Sequence, residues 1–188
     1  MSWKSTRAGY GWLSIGFHWL MLVLLIAVYC AMEFKGIYKK GSPGRDAIMM
    51  WHYMLGLSVF FLVWLRALAR LAGTRPVIEP ALPGWQATLA KIAHWALYAL
   101  MIGLPVLGWL TLSAKGEPIP FFGVELPSLI GENESLSKSL KNIHESIATA
   151  GYFIIGLHAA AALYHHYVRR DNTLRVMLPR AGDEPNRY

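Results

Sequence analysis

Residues 139–167 read SLKNIHESIATAGYFIIGLHAAAALYHHY. The stretch is long and apolar enough to cross a lipid bilayer, yet it contains His144 and His158. On an α-helix these histidines are about 21 Å apart along the axis and within roughly 40° of the same face. Metal-binding groups inside a membrane span are costly and seldom lack a use. The pattern therefore indicates two stacked metal centres, each completed by another helix.

Three further apolar runs precede this stretch. The four spans are predicted at residues 12–34, 47–71, 87–113 and 139–168. They predict an all-α membrane protein, a four-transmembrane-helix bundle in which the whole chain, 1–188, is one domain that holds its cofactors between facing helices. The polar tail from Arg169 is expected to be partly frayed.

The composition supports a membrane protein over a nucleic-acid-binding one. Of 188 residues, 55% are hydrophobic and only 15% are charged, against about 25% charged in a typical soluble domain. The net charge is +7, but the basic residues flank the apolar runs, which is a topology signal. The single cysteine, Cys30, excludes an internal disulfide and a CxxCH haem attachment.

Lysine and arginine predict the orientation. About eleven lie in the N-terminal segment, the second loop and the tail, and about seven lie in the first and third loops, where glutamates partly offset them. The positive-inside rule therefore predicts both termini in the cytoplasm.

The histidines fall into two depth layers. His52 and His144 share the outer layer, while His158 lies in the inner layer with two candidate partners, His18 and His94. Zinc prefers four ligands in a compact cluster, which these histidines do not form. Without a thiolate, histidine pairs are typical ligands of b-type haem iron, and the layers predict two haems in the bundle.

Small and basic residues near these layers fit a bound macrocycle. Four glycines lie within seven positions of a histidine and are expected to face it: Gly16, Gly56, Gly151 and Gly156. Close helix packing is the alternative explanation. Arg66 and Arg70 can pair with haem propionates or anchor the helix end at the lipid head groups.

Four strings resemble the bacterial cytochrome b561 family over essentially the whole chain. They are SIGFHWLMLVLLIAVYCAMEFKG, HWALYALMIGLPVLGW, KNIHESIATAGYFIIGLHAAAALYHHY and DNTLRVMLPR. The resemblance implies an inner-membrane, four-helix protein with two haem b groups that takes electrons from superoxide and reduces ubiquinone. It implies that His18 and His158 bind the inner haem iron, that His52 and His144 bind the outer one, and that His94 is unligated.

A histidine that does not bind iron is suited to quinone chemistry. Reduction of a quinone needs hydrogen-bond donors and a source of protons, and histidine supplies both near neutral pH. His94 and His165 lie toward the inner side and are candidates for the ubiquinone site; ordinary packing at a helix end is the alternative.

Superoxide is a small anion, and a local positive field raises the rate at which such an anion arrives. Four basic residues of the first outer loop are candidates for superoxide steering: Lys35, Lys39, Lys40 and Arg45. Lys138 and Lys141, before the fourth span, can add to the field. The alternative is an ordinary solvated loop.

Two other functions remain open at this point. The chain can be a cytochrome b membrane anchor that conducts electrons between a dehydrogenase or hydrogenase and the quinone pool. It can also be a histidine-lined metal or proton transporter. Short loops favour a superoxide:quinone oxidoreductase without a stable protein partner, surrounded by the lipid bilayer.

Overall fold

The computed structural model describes residues 2–179 and contains, within that range, four helices long and apolar enough to cross a membrane. They are α1 (Trp12–Phe34), α2 (Pro43–Leu71), α3 (Gly84–Lys115) and α4 (Glu134–Tyr164). The predicted four-helix membrane fold is confirmed. Arg180 and Arg187, which contribute to the predicted orientation, lie outside the described residues. We call the end of the bundle at which α1 begins and α4 ends the inner end, and the opposite one the outer end.

Helix α1 coincides with its predicted span, but the other three helices begin several residues before theirs. In α2 and α4 the first turn is polar and is stabilised by a side-chain cap rather than by burial. Ser42 Oγ accepts a hydrogen bond from the Arg45 backbone N at 3.4 Å, and Asn133 Oδ1 accepts one from the Leu136 backbone N at 2.9 Å. Hydropathy detects the apolar part of each helix and misses the turns that extend beyond it.

The helices pack as two pairs, α1 along α2 and α3 along α4, and contacts between the pairs are sparser. A small apolar cluster joins the pairs near mid-depth. Its fully buried members are Met21, Val59, Val63 and Met101. The remaining space between the pairs is available to a cofactor.

A short β-hairpin covers one side of the bundle near its outer end. Strands β1 (Ile119–Phe121) and β2 (Val124–Leu126) pair antiparallel, and Gly123 in the turn has a φ of 87°, which glycine adopts without strain. Ile119 is buried against Leu57 of α2. The hairpin was not predicted, because the sequence analysis treated this segment as loop.

The chain after α4 is ordered against the inner end of the bundle. A turn of π-helix, His165–Arg169, continues α4. Glu79 N then donates to Asn172 Oδ1 at 2.9 Å, and Asn172 N donates to the Glu79 carbonyl at 3.1 Å. Trp19 Nε1 donates to the Met177 carbonyl at 2.8 Å. The prediction of a frayed tail is wrong for this part, because these hydrogen bonds tie it to α1 and to the loop between α2 and α3.

Candidate redox site between the helix pairs

The outer histidines face each other across the gap between the helix pairs. His52 of α2 and His144 of α4 have ring centroids 6.3 Å apart and planes at 72°. His52 Nδ1 lies 3.3 Å from the Val28 carbonyl of α1. A proton on Nδ1 that bonds this carbonyl fixes the ring and leaves Nε2 available to a metal ion.

The inner level holds three histidines. His18 of α1 and His158 of α4 repeat the outer geometry, with centroids 6.3 Å apart and planes at 70°. His94 of α3 lies closer to His158, with centroids 5.6 Å apart and planes at 71°. The structure therefore brings together both partners that the sequence left open for His158.

These separations can be compared with the geometry of two imidazoles on one metal ion. A metal–imidazole bond is about 2.0 Å and the ring centroid lies about 1.15 Å beyond the nitrogen, so two ligands in line have centroids about 6.3 Å apart. The pairs His18–His158 and His52–His144 fit this distance, whereas His94–His158 is too short for an in-line pair. The geometry favours His18 over His94 as the partner of His158.

A cavity of about 890 Å³ lies between the helix pairs and is lined by His52 and His144. It extends from the outer end to Ile155, which is one turn from His158, and it is as large as typical cofactor sites. Gly56 lines it, and a Cβ at this position would meet nothing within 4 Å. The space and its ligands fit a flat macrocycle.

The glycines do not share the single role that the sequence suggested. Gly16 and Gly156 have open space where a Cβ would stand, but both are exposed and neither lines the cavity. At Gly151, however, a Cβ would lie 2.2 Å from the hydroxyl of Tyr29, which donates to the Ala148 carbonyl at 2.9 Å. Gly151 therefore leaves room for the Tyr29 hydroxyl against α4, and its expected place beside the macrocycle is not supported.

Three residues that sequence reasoning did not assign to the site also line the cavity: Tyr29, Glu33 and Tyr152. The Tyr152 hydroxyl donates to Glu33 Oε1 at 2.5 Å, and the two tyrosine rings pack edge to face at 4.4 Å. Tyr29 and Glu33 are four residues apart on α1, which places them on one helix face. This spacing is the feature of the sequence that could have assigned them to the site.

The basic residues of the first outer loop separate into two groups. Lys35 and Arg45 line the mouth of the cavity, and Arg45 Nη1 donates to the Lys35 carbonyl at 3.0 Å. Among residues 2–179 neither has a carboxylate within 4 Å. Lys39 and Lys40 are exposed and lie away from the lining.

Three further lysines of the lining have acidic partners, and one of them is Lys115, which pairs with Glu117. Lys138 Nζ lies 2.8 Å from Glu134 and Lys141 Nζ lies 3.7 Å from Glu145, each one helical turn away on α4. Lys35 and Arg45 are therefore the lining cations without a carboxylate within 4 Å among the described residues, although Glu33 and Asp46 line the same cavity.

At the inner end, His165 is paired with a carboxylate. Its Nδ1 lies 2.5 Å from Asp171 Oδ2, and the Thr173 backbone N donates to Asp171 Oδ1 at 2.9 Å. Burial of the Asp171 carboxyl raises its pKa, but hydrogen bonds from His165 and Thr173 outweigh burial and lower the pKa below its ordinary value. An ionised Asp171 can only accept hydrogen bonds, so the Nδ1–H group of His165 is the donor of this hydrogen bond. Its Nε2 atom then faces its other surroundings.

Four membrane helices that hold facing histidine pairs around an interior cavity define the class of membrane b-type cytochromes. A model of the family described as prokaryotic cytochrome b561 matches residues 9–180. The chain belongs to this family, and it is therefore a multi-pass, haem b electron-transport protein.

Three curated relatives extend over nearly the whole chain. "Cytochrome b561 homolog 1" of Escherichia coli (strain K12) is 37% identical over 87% of this chain and 93% of its own length. "Probable superoxide oxidase CybB" of Yersinia pestis is 37% identical over 91% of this chain and 96% of its own length. "Cytochrome b561 homolog 2" of Escherichia coli (strain K12) is 24% identical, over 98% of each chain.

Proposed function

We propose that the protein is a superoxide:ubiquinone oxidoreductase of the bacterial inner membrane, with two haem b groups and both termini in the cytoplasm. The observation that carries the proposal is the pair of histidine sites with the same 6.3 Å separation, whose α4 ligands are about 21 Å apart along the helix axis. The similarity to a protein named as a probable superoxide oxidase supports the choice of substrate.

The overall reaction consumes two superoxide anions for each quinone that is reduced. Two superoxide anions, one ubiquinone and two protons give two dioxygen molecules and one ubiquinol. When bound, the haem groups supply the one-electron chemistry that joins the two half-reactions. His52 with His144, and His18 with His158, would hold the two irons.

The remaining residues serve the substrates. Lys35 and Arg45 attract the superoxide anion to the outer mouth, because their positive charges have no carboxylate partner there. At the inner end, His165 holds a proton next to the Asp171 carboxylate and can deliver protons to a reduced quinone. His94 is the second candidate for a quinone hydrogen bond, since it stands beside the inner ligand His158.

The first test is a spectrum of the purified protein. A reduced-minus-oxidised spectrum with a haem assay is expected to give two b-type haems per chain. Superoxide is expected to reduce them and ubiquinone to reoxidise them. Two haems that superoxide does not reduce would instead favour an electron conduit for a dehydrogenase or hydrogenase partner, and protein without haem would refute the proposal.

Superoxide steering is tested by charge removal at the mouth. The double variant K35Q/R45Q is expected to slow the reaction of superoxide severalfold at low ionic strength, and the difference should shrink as salt screens the field. The matched control is K39Q/K40Q, which removes the same charge from the same loop away from the cavity. Equal effects of both double variants would refute steering at the mouth.

The quinone site is tested with H94Q and H165Q, each assayed for haem content, reduction by superoxide and reoxidation by ubiquinone. Slower reoxidation with unchanged haem content and unchanged reduction is expected for the residue that serves the quinone. If both variants reoxidise at the wild-type rate, neither histidine belongs to the quinone site.

A further inference from the structure

Helix α2 presents one continuous face to the bundle interior. His52, Val59, Val63 and Arg66 are spaced by seven, four and three residues, which keeps them within about 60° of one another around the helix. Val59 and Val63 are 2% and 1% exposed. Arg66 therefore belongs to the inward-facing stripe, although it lies in a membrane span.

The position of Arg66 along α2 matches the inner histidine level. It follows His52 by fourteen residues, about 21 Å of helix, and the same interval separates His144 from His158 on α4. Helix α2 thus supplies a ligand at the outer level and, after the same rise, a cation at the inner level. At that inner level α1 and α4 supply the two facing histidines.

The surroundings of Arg66 lack an anion. Its charge acts on His18, His94 and His158, so it lies near all three. Its Nε atom is buried without a hydrogen-bond partner, and among residues 2–179 it has no carboxylate within 4 Å. The hydroxyl of Tyr98 on α3 is close enough to the guanidinium to interact with it, and its oxygen is buried without a partner that meets the geometric criteria of a hydrogen bond.

A buried cation without a counter-charge is strongly unfavourable in a membrane interior. An oxyanion bound beside these histidines would satisfy the guanidinium and the phenol together, through charge-assisted hydrogen bonds. A lipid phosphate offers the same chemistry. It approaches from outside the bundle, however, whereas Arg66 shares its face with the fully buried Val59 and Val63.

We propose that Arg66 and Tyr98 form a carboxylate-binding site for a propionate of the inner haem. This inference rests on the proposed function, because it requires the inner haem. A fixed positive charge beside this group stabilises its reduced state, since reduction removes one unit of positive charge from the iron. Arg66 therefore raises the inner reduction potential relative to the outer one and favours inward electron flow.

The test is a potentiometric titration of the two haems in detergent-purified wild type, R66Q, R66K and the control R70Q. In R66Q one midpoint is expected to fall, so that the reduced-to-oxidised ratio at a fixed potential decreases about tenfold, or about 59 mV for one electron. R66K retains the charge and should shift the midpoint less. R70Q removes a charge one turn further inward, where it acts on His94, and should leave both midpoints close to wild type.

Infrared difference spectra of protein that carries ¹³C-labelled propionates give a second readout. The redox-linked carboxylate bands of the wild type are expected to shift in R66Q and also in Y98F, which removes one hydroxyl and no charge. If R66Q does not fold, the infrared bands of Y98F and the midpoints of R66K still test the inference. Unchanged bands and midpoints would refute the inference, and so would a shift that appears only when anionic lipid is added. A wild type with a single haem would refute the proposed function instead.

Discussion

Replacing Gly151 by alanine tests whether the absence of a side chain at this position allows the Tyr29 hydroxyl to bind α4. The new Cβ would lie 2.2 Å from the Tyr29 hydroxyl, so one of the helices or the ring must move. Overpacking of this kind costs about 1–3 kcal/mol, and loss of the hydrogen bond to Ala148 costs about 1 kcal/mol. The higher helix propensity of alanine returns about 1 kcal/mol. The net destabilisation expected is about 1–3 kcal/mol.

In a Tyr29→Phe background, the same substitution should stabilise the protein instead of destabilising it. Without the hydroxyl, the nearest ring atom is Cζ, at an ordinary contact distance of 3.5 Å from the new Cβ. Thermal unfolding of the detergent-purified protein measures both effects, at about 2–4 °C per kcal/mol for a chain of this length. Gly103→Ala, where a Cβ would meet nothing within 4 Å, is the control. If G151A lowers the melting temperature equally in both backgrounds, the steric reasoning is wrong.

Further predictions concern the inner end. Asp171→Asn removes the charge that holds the Nδ1 proton of His165. Quinol formation, followed as haem reoxidation by ubiquinone, is expected to slow about tenfold, while haem reduction by superoxide is expected to stay unchanged. An equal loss of rate in both steps would contradict this role. Because the folded pKa of Asp171 is lowered, its stabilisation is present above the unfolded value of about 3.9 and is lost as pH falls through the folded value. The melting temperature of the wild type should therefore exceed that of the Asn variant at neutral pH and approach it in acid, and a constant difference would argue against the charged pair. Asn172→Ala loses the hydrogen bonds of its side chain with Glu79 N and the Val77 carbonyl, worth about 1 kcal/mol each. The tail should then be cut faster in limited proteolysis, and an unchanged rate would show that these bonds do not hold it.

The sequence predicts the depth of each histidine well, because a fixed rise per residue converts sequence position into depth once the spans are known. It does not choose between His18 and His94 for His158, since that choice depends on how α1 and α3 are rotated and placed around α4. Hydropathy likewise locates the lipid-facing part of α4 but not its first turn, which the Asn133 cap determines.

Hydrophobic periodicity could not predict contacts that depend on a chain reversal or on a neighbouring helix. Asp171 meets His165 only because the chain turns back at Arg170, which has a φ of 56°. Gly151 is close in sequence to His144, which suggested a cofactor contact, yet its role depends on Tyr29 of another helix. Local patterns contain no information about either contact.

The pairing of α1 with α2 and of α3 with α4 has a consequence for biogenesis. Each half of the bundle consists of helices that are consecutive in the chain, so each half can enter the bilayer as soon as its second helix has been synthesised. The proposed ligands of each level lie on both halves, so we expect the cofactor to be held only when the halves close on each other. A chain divided in the linker between α2 and α3 is therefore expected to reassemble into a haem-containing protein when the two pieces are co-expressed. Haem retained by either piece alone would show that assembly follows another order.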